Sequence, residues 1–118
     1  MAVTAQPEIW HNPRCSKSRQ TLALLEARGF SPLIRLYLQD GPDEATLEAV
    51  LSALKKSPID IMRSKDALFK DLGLSIDTTD TALTNAMVAN PALIERPIVR
   101  MGDEARIGRP PESVLEIL

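Results

Sequence analysis

The chain holds one cysteine and one histidine among 118 residues. A lone cysteine excludes an intramolecular disulfide, and a single histidine beside it excludes a zinc-type Cys/His array. No apolar run approaches the roughly 18 residues that a membrane span needs. The N-terminal Met-Ala-Val-Thr-Ala-Gln-Pro-Glu lacks the basic-then-apolar pattern of a signal peptide. These absences predict a cytoplasmic protein with no membrane partner, in a compartment where a free thiol stays reduced. A net charge of −2 gives no global attraction for nucleic acid, so any affinity for anions must come from a local cluster. There is no internal repeat, low-complexity segment or long linker. A 44% hydrophobic fraction in a chain of this length predicts a single domain over residues 1–118, and the compact composition predicts a monomer.

What is present is concentrated in one stretch, His11-Asn12-Pro13-Arg14-Cys15-Ser16-Lys17-Ser18-Arg19. It contains the histidine, the cysteine and three Lys/Arg residues, with no acid. A short apolar run, Ile9-Trp10, precedes it, and an amphipathic pattern begins at Thr21-Leu22. Cys15 is therefore expected where a strand ends and a helix begins. Unpaired N–H groups and the positive end of the helix dipole favour anions and thiolates at such a point.

Along the chain, Glu8 to His11 reads as a first strand, followed by a helix to about Arg28 with Leu22, Ala23 and Leu25 among its apolar positions and Gly29 just beyond its end. Leu33 to Leu38 is a β-type run, so strand, helix and strand form a parallel βαβ unit. Leu47, Val50, Leu51 and Leu54 fall on one face of the next helix, with Lys55 and Lys56 at its C-terminal end. Short helical segments are expected at Ile59–Arg63 and Asp66–Leu72, and a longer one at Asp80–Ala89. Ile98–Met101 and Glu104–Ile107 flank Gly102-Asp103 as a hairpin. Pro110-Pro111 opens a final helical segment through Val114, Leu115 and Leu118. This order predicts an α/β fold: a small mixed sheet of about four strands flanked by helices, thioredoxin-like, with a helical insertion between the βαβ half and the C-terminal hairpin.

Only the thiolate of a cysteine is a competent nucleophile. The helix N-terminus, Arg14, Lys17 and Arg19, the Ser16 and Ser18 hydroxyls, and a protonated His11 would all favour it at Cys15. The alternative, an inert buried cysteine, fits poorly in a polar cationic loop, because apolar burial raises a thiol pKa. Arg96 and Arg109 each stand directly before a proline, and Arg63 ends the Ile-Asp-Ile-Met segment. Arginine's planar fork suits bidentate contact with tetrahedral oxyanions. Spacing alone does not select these three over Arg100 or Arg106.

The segments His11-Asn12-Pro13-Arg14-Cys15, Ser18-Arg19-x-Thr21-Leu22, Glu95-Arg96-Pro97-Ile98-Val99 and Gly108-Arg109-Pro110 resemble, in order and over most of the chain, the glutaredoxin-coupled arsenate reductases of the ArsC family. The resemblance implies that Cys15 is the nucleophile, that His11 and Ser18 support its thiolate, and that Arg63, Arg96 and Arg109 bind arsenate or arsenite. It also implies a cis Arg96–Pro97 peptide. The implied reaction is reduction of arsenate to arsenite through a Cys15–arsenate adduct. No bound cofactor and no metal are implied; glutathione serves as co-substrate and glutaredoxin as the protein reductant.

The chain departs from the best-characterised members beside the nucleophile, where Arg14 replaces a small residue and Ser16-Lys17 a Gly-Thr type pair. Two other readings follow from related branches. One is a glutathione-dependent thiol reductase acting on another substrate. The other is an Spx-like regulator that binds RNA polymerase; Ser18 stands where that branch often carries the second cysteine of its redox switch.

Overall fold

A computed structural model describes residues 6–118. The N-terminal residues read above for a signal pattern lie, up to Ala5, outside the described residues. The chain forms two compact units. One joins the N-terminal segment through Asp40 to Arg96–Leu118, and Gly41–Glu95 forms the other. The second unit thus interrupts the first in sequence, where a helical insertion was expected.

The first unit carries a four-stranded sheet in the order β2-β1-β3-β4. Its strands are β1 (Glu8–Trp10), β2 (Leu33–Arg35), β3 (Ile98–Met101) and β4 (Glu104–Ile107). β1 pairs parallel with β2, Ile9 opposite Ile34, and antiparallel with β3, Ile9 opposite Val99. The β3–β4 hairpin pairs Ile98 with Ile107 and turns at Gly102, whose φ of 60° suits a residue without a side chain. Helix α1 (Ser16–Ala27) follows β1 and ends before Gly29, at φ 86°. Ile9, Leu25, Val99, Val114 and Ile117 form the core here, with Leu22, Leu24, Phe30 and Met101 packed against it. Ala23, counted among the apolar positions, faces solvent.

One expectation is corrected in this unit. β2 stops at Arg35 instead of running to Leu38, because the Leu36 carbonyl accepts the N–H groups of Gln39 and Asp40 and turns the chain. Tyr37 is thereby buried and stacks on Trp10 at 6.5 Å. The expected terminal helical segment forms as a 3₁₀ helix, Pro111–Ile117, and it buries Val114 and Ile117.

The second unit is helical. In α2 (Glu44–Leu54), Asp43 caps the N-terminus by accepting the Thr46 N–H at 2.8 Å, and Leu47, Val50, Leu51 and Leu54 are buried as their spacing predicts. A 3₁₀ turn (Pro58–Ile61), α3 (Ala67–Asp71) and α4 (Asp80–Ala89) follow, then a 3₁₀ turn at Pro91–Leu93 that the sequence reading lacked. An isolated bridge joins Met62 to Ile94. Among the described residues, no helix is long and apolar enough to cross a membrane.

Candidate active site

The nine-residue loop is fixed by its own polar groups. His11 N–H still donates to the Arg35 carbonyl at 2.8 Å, prolonging the β1–β2 pairing by one residue. Asn12 then turns the chain. Its side-chain oxygen accepts Arg14 N–H at 3.0 Å, and its carbonyl accepts Cys15 N–H at 2.9 Å. The Arg19 guanidinium donates to the Pro13 carbonyl at 2.9 Å from one turn into α1. Cys15 consequently occupies the N-cap of α1, in extended backbone geometry.

Burial is the largest single influence on the Cys15 thiol and opposes ionisation. It is outweighed by the Ser18 N–H, the Arg96 side chain as a donor, the Lys17 N–H and the Arg96 charge, so the thiol pKa lies below its ordinary value. The cations that act on the sulfur are therefore not those that flank it in sequence. Arg14 and Lys17 point to solvent, and Arg19 holds the loop. Position 17 contributes through its backbone.

Arg96 and Arg109 come from the β3–β4 half of the sheet unit. The Arg96–Pro97 peptide is cis, as expected, and Arg109–Pro110 is cis as well. Arg109 Nε donates to the Arg96 carbonyl at 2.7 Å, which orients its guanidinium so that Nη2 lies 3.7 Å from Cys15 Sγ. Arg96 Nε is buried without a hydrogen-bond partner among the described residues, a donor available to an incoming acceptor.

The junction between the two halves is tight. Gly108 N–H donates to the Pro97 carbonyl at 2.9 Å. A Cβ at Gly108 would lie 2.6 Å from Thr21 Oγ1 and 2.8 Å from Pro97 Cγ. Thr21 is fully buried and bonds back to the Lys17 carbonyl at 2.8 Å, so it cannot yield cheaply. Gly108→Ala is expected to lower the unfolding free energy by about 1–3 kcal/mol, from overpacking. Urea denaturation checks this. The sequence reading took Gly108 only as part of a family motif, and its packing role has no local signal.

His11 is held within the loop by Ser18. Its Nδ1 is hydrogen-bonded to Ser18 Oγ at 2.6 Å, and that oxygen also accepts the Asn12 N–H at 3.0 Å. Burial first, and then the Arg19 charge, lower its pKa below the ordinary 6.5, which favours the neutral ring. The pair braces the loop. For a base with a lowered folded pKa, the unfolded chain takes the proton first as pH falls. Stability from this source is therefore full above about pH 6.5 and declines below it. The urea midpoint is expected to drop between pH 7 and pH 5, and to drop less in His11→Asn.

Arg63 lies in the helical unit. Its guanidinium is held by Asp66 at 2.7 Å and Glu95 at 3.0 Å, and its N–H donates to the Leu93 carbonyl. The structure thus brings Cys15, His11, Ser18, Arg96 and Arg109 together in the sheet unit and shows Arg63 engaged by carboxylates of its own unit.

The family model described as "ArsC family" matches residues 10–117. The chain is 52% identical over 115 residues to a protein named "Arsenate reductase" from Haemophilus influenzae, covering 93% of this chain and 97% of that one. It is 51% identical over 118 residues to the "Uncharacterized protein YfgD" of Escherichia coli, covering 98% and 99%. A solved structure named "Arsenate reductase from Vibrio cholerae" superposes with a TM-score of 0.94 at 46% identity, covering 98% of this chain and all of that one. A family match over nearly the whole described chain, relatives of equal length at half identity and the same thioredoxin-like sheet make this chain a member of the ArsC family.

Proposed function

We propose that the protein is an arsenate reductase in which Cys15 is the nucleophile. The observation that carries this reading is the setting of the thiol: helix N–H groups and Arg96 lower its pKa, and it stands 3.7 Å from the Arg109 guanidinium. An anionic nucleophile facing two arginines suits an electrophile that is itself an oxyanion, since the arginines offset the repulsion between the two. The thiolate attacks arsenic and forms an S–As bond, while an arsenate oxygen leaves as water after protonation. Arg96 and Arg109 hold the remaining oxygens. Both relatives named as arsenate reductases support the substrate.

The second half of the reaction needs a thiol from outside, because Cys15 is the only cysteine. A thiolate attacks Cys15 Sγ, and the S–As bond breaks with its electron pair passing to arsenic. Arsenic is reduced from As(V) to As(III), the two sulfurs are oxidised to a mixed disulfide, and arsenite leaves. A second thiol then exchanges with that disulfide and frees Cys15. In this reading glutathione supplies the first thiol and glutaredoxin the second, in the reducing cytoplasm. In this reading the oxyanion site rests on Arg96 and Arg109, and Arg63 is the third arginine that the resemblance implies.

The deciding experiment is arsenite formation by the purified protein with arsenate, glutathione and glutaredoxin. Arsenite produced in stoichiometry with disulfide supports the reading. No arsenite, with small disulfides still reduced, replaces it by a glutathione-dependent thiol reductase. Capture of RNA polymerase by an otherwise inactive protein would replace it by the regulator.

A further inference from the structure

A cavity of about 230 Å³ opens within the helical unit, between α2 and α4. Glu44, Glu48 and Leu51 line it from one face of α2, at i, i+4 and i+7. Pro58 lines it from the 3₁₀ turn, and Asp80 and Thr84 from α4. The volume falls below the roughly 300–1,000 Å³ of pockets for drug-sized ligands. It suits one short chain rather than a ring system.

The lining carries three carboxylates and no cation. Among the described residues, none of the three carboxylates has an ion pair. Glu44 and Asp80 stand in the first turns of their helices, where negative charge suits the dipole. Glu48, one turn further along α2, has no such reason. Thr84 is the second, independent observation. It is 6% exposed, and its side chain makes no hydrogen bond among the described residues. A helical threonine commonly returns its hydroxyl to the carbonyl four residues earlier, as Thr21 does to Lys17 at 2.8 Å. Thr84 does not. Its oxygen is not one of the enclosed, partnerless atoms of the core, so it opens onto the cavity that its residue lines. A hydroxyl buried without a partner is costly, and an occupant of the cavity would relieve that cost.

We propose that this cavity binds the ammonium end of an aliphatic amine. Among the described residues, no group of acidic side chains converges closely enough to hold a metal ion, which favours an organic cation with a longer reach. An ammonium group offers three donors and no acceptor, and carboxylates offer only acceptors. One donor goes to Thr84 Oγ1 and the others to the carboxylates of α2 and Asp80. The methylene stem lies against Leu51 and Pro58, both buried apolar residues of the lining. The ammonium can belong to a free alkylamine or to a lysine side chain. The assignment does not depend on the reaction at Cys15.

Cadaverine, a free alkylamine, and N-acetyl-lysine N-methylamide, a lysine in peptide form, are the two probes. Titrated at constant ionic strength, at least one is expected to shift the amide resonances of Glu48, Leu51 and Thr84, with a Kd on the order of 1 mM. Pentanol, which has a similar stem and no charge, is expected to leave them in place. Tighter binding of cadaverine assigns the site to small amines; equal or tighter binding of the lysine derivative assigns it to a lysine presented by a peptide. Thr84→Val keeps the shape of the side chain and removes the acceptor. It is expected to weaken binding about fivefold while holding or raising the urea midpoint, since the hydroxyl it deletes has no partner to lose. Glu48→Gln is expected to weaken binding about two- to fivefold. Shifts reproduced by sodium chloride alone would overturn the assignment, because they would report diffuse screening of an acidic surface. So would the absence of shifts with both probes, or binding unchanged in both variants. None of these outcomes turns on whether arsenate is the substrate.

Discussion

Cys15→Ser is expected to abolish arsenite formation, by at least about 10³-fold, while leaving the fold intact or slightly more stable. Both outcomes come from the same position. Cys15 is the N-cap of α1 in extended geometry, and its side chain makes no cap hydrogen bond. Serine is among the preferred N-cap residues and cysteine is not, so the substitution supplies a better cap, worth up to about 1 kcal/mol. The hydroxyl is not ionised at neutral pH and cannot enter an S–S bond, so both halves of the reaction are lost. Measured together, arsenite formation and the urea midpoint separate a chemical role from a structural one. Loss of activity with a large loss of stability would mark Cys15 as a core residue instead. A serine variant with residual turnover would mean that the nucleophile lies elsewhere. The chain keeps the poorer cap where the proposed chemistry needs sulfur, a local conflict of the kind that functional sites retain.

How much of this was legible in the residues depends on the range of the interactions. The helix over Glu44–Leu54 and the hairpin over Ile98–Ile107 follow from periodicity and a Gly-Asp turn, both local signals, and both match in the structure. Leu36-Tyr37-Leu38 has strand composition, yet β2 ends at Arg35. Tyr37 is spent instead on stacking against Trp10, a tertiary contact that propensity does not encode. Cys15 was legible for the same local reason as the helix. Its electrostatic setting was not: the flanking Arg14 and Lys17 look decisive in sequence yet face solvent. Arg96, 81 positions away, supplies the charge that acts on the sulfur. Arg96 and Arg109 were singled out by resemblance, and spacing gave them no preference over Arg100 or Arg106. The Asn12 turn, the Arg19 clamp and the close approach of Gly108 to Thr21 left no sequence pattern, because each depends on where a carbonyl or a Cβ falls in three dimensions.

Arg96→Ala is expected to shift the pH dependence of Cys15 alkylation to higher pH and to lower kcat/KM for arsenate by about 10²–10³-fold. Burial raises the Cys15 pKa, and four contributions lower it: the Ser18 N–H, Arg96 as a donor, the Lys17 N–H and the Arg96 charge. The substitution removes two of the four and leaves burial opposed by the helix alone. The sign follows directly. Less stabilisation of the anion means less thiolate at a given pH, so iodoacetamide reacts more slowly near neutrality and reaches its plateau only at higher pH. Arg109→Ala separates the two arginines. Arg109 Nη2 lies 3.7 Å from the sulfur, and Arg96 acts on its ionisation both as a donor and as a charge. Arg109 is exposed to solvent, which screens its charge, whereas Arg96 Nε is buried. Arg109→Ala is therefore expected to raise KM for arsenate with a smaller shift of the alkylation profile than Arg96→Ala. Equal shifts in the two variants would mean that both arginines activate the nucleophile. No shift in Arg96→Ala would place the whole activation on the N–H groups of Lys17 and Ser18.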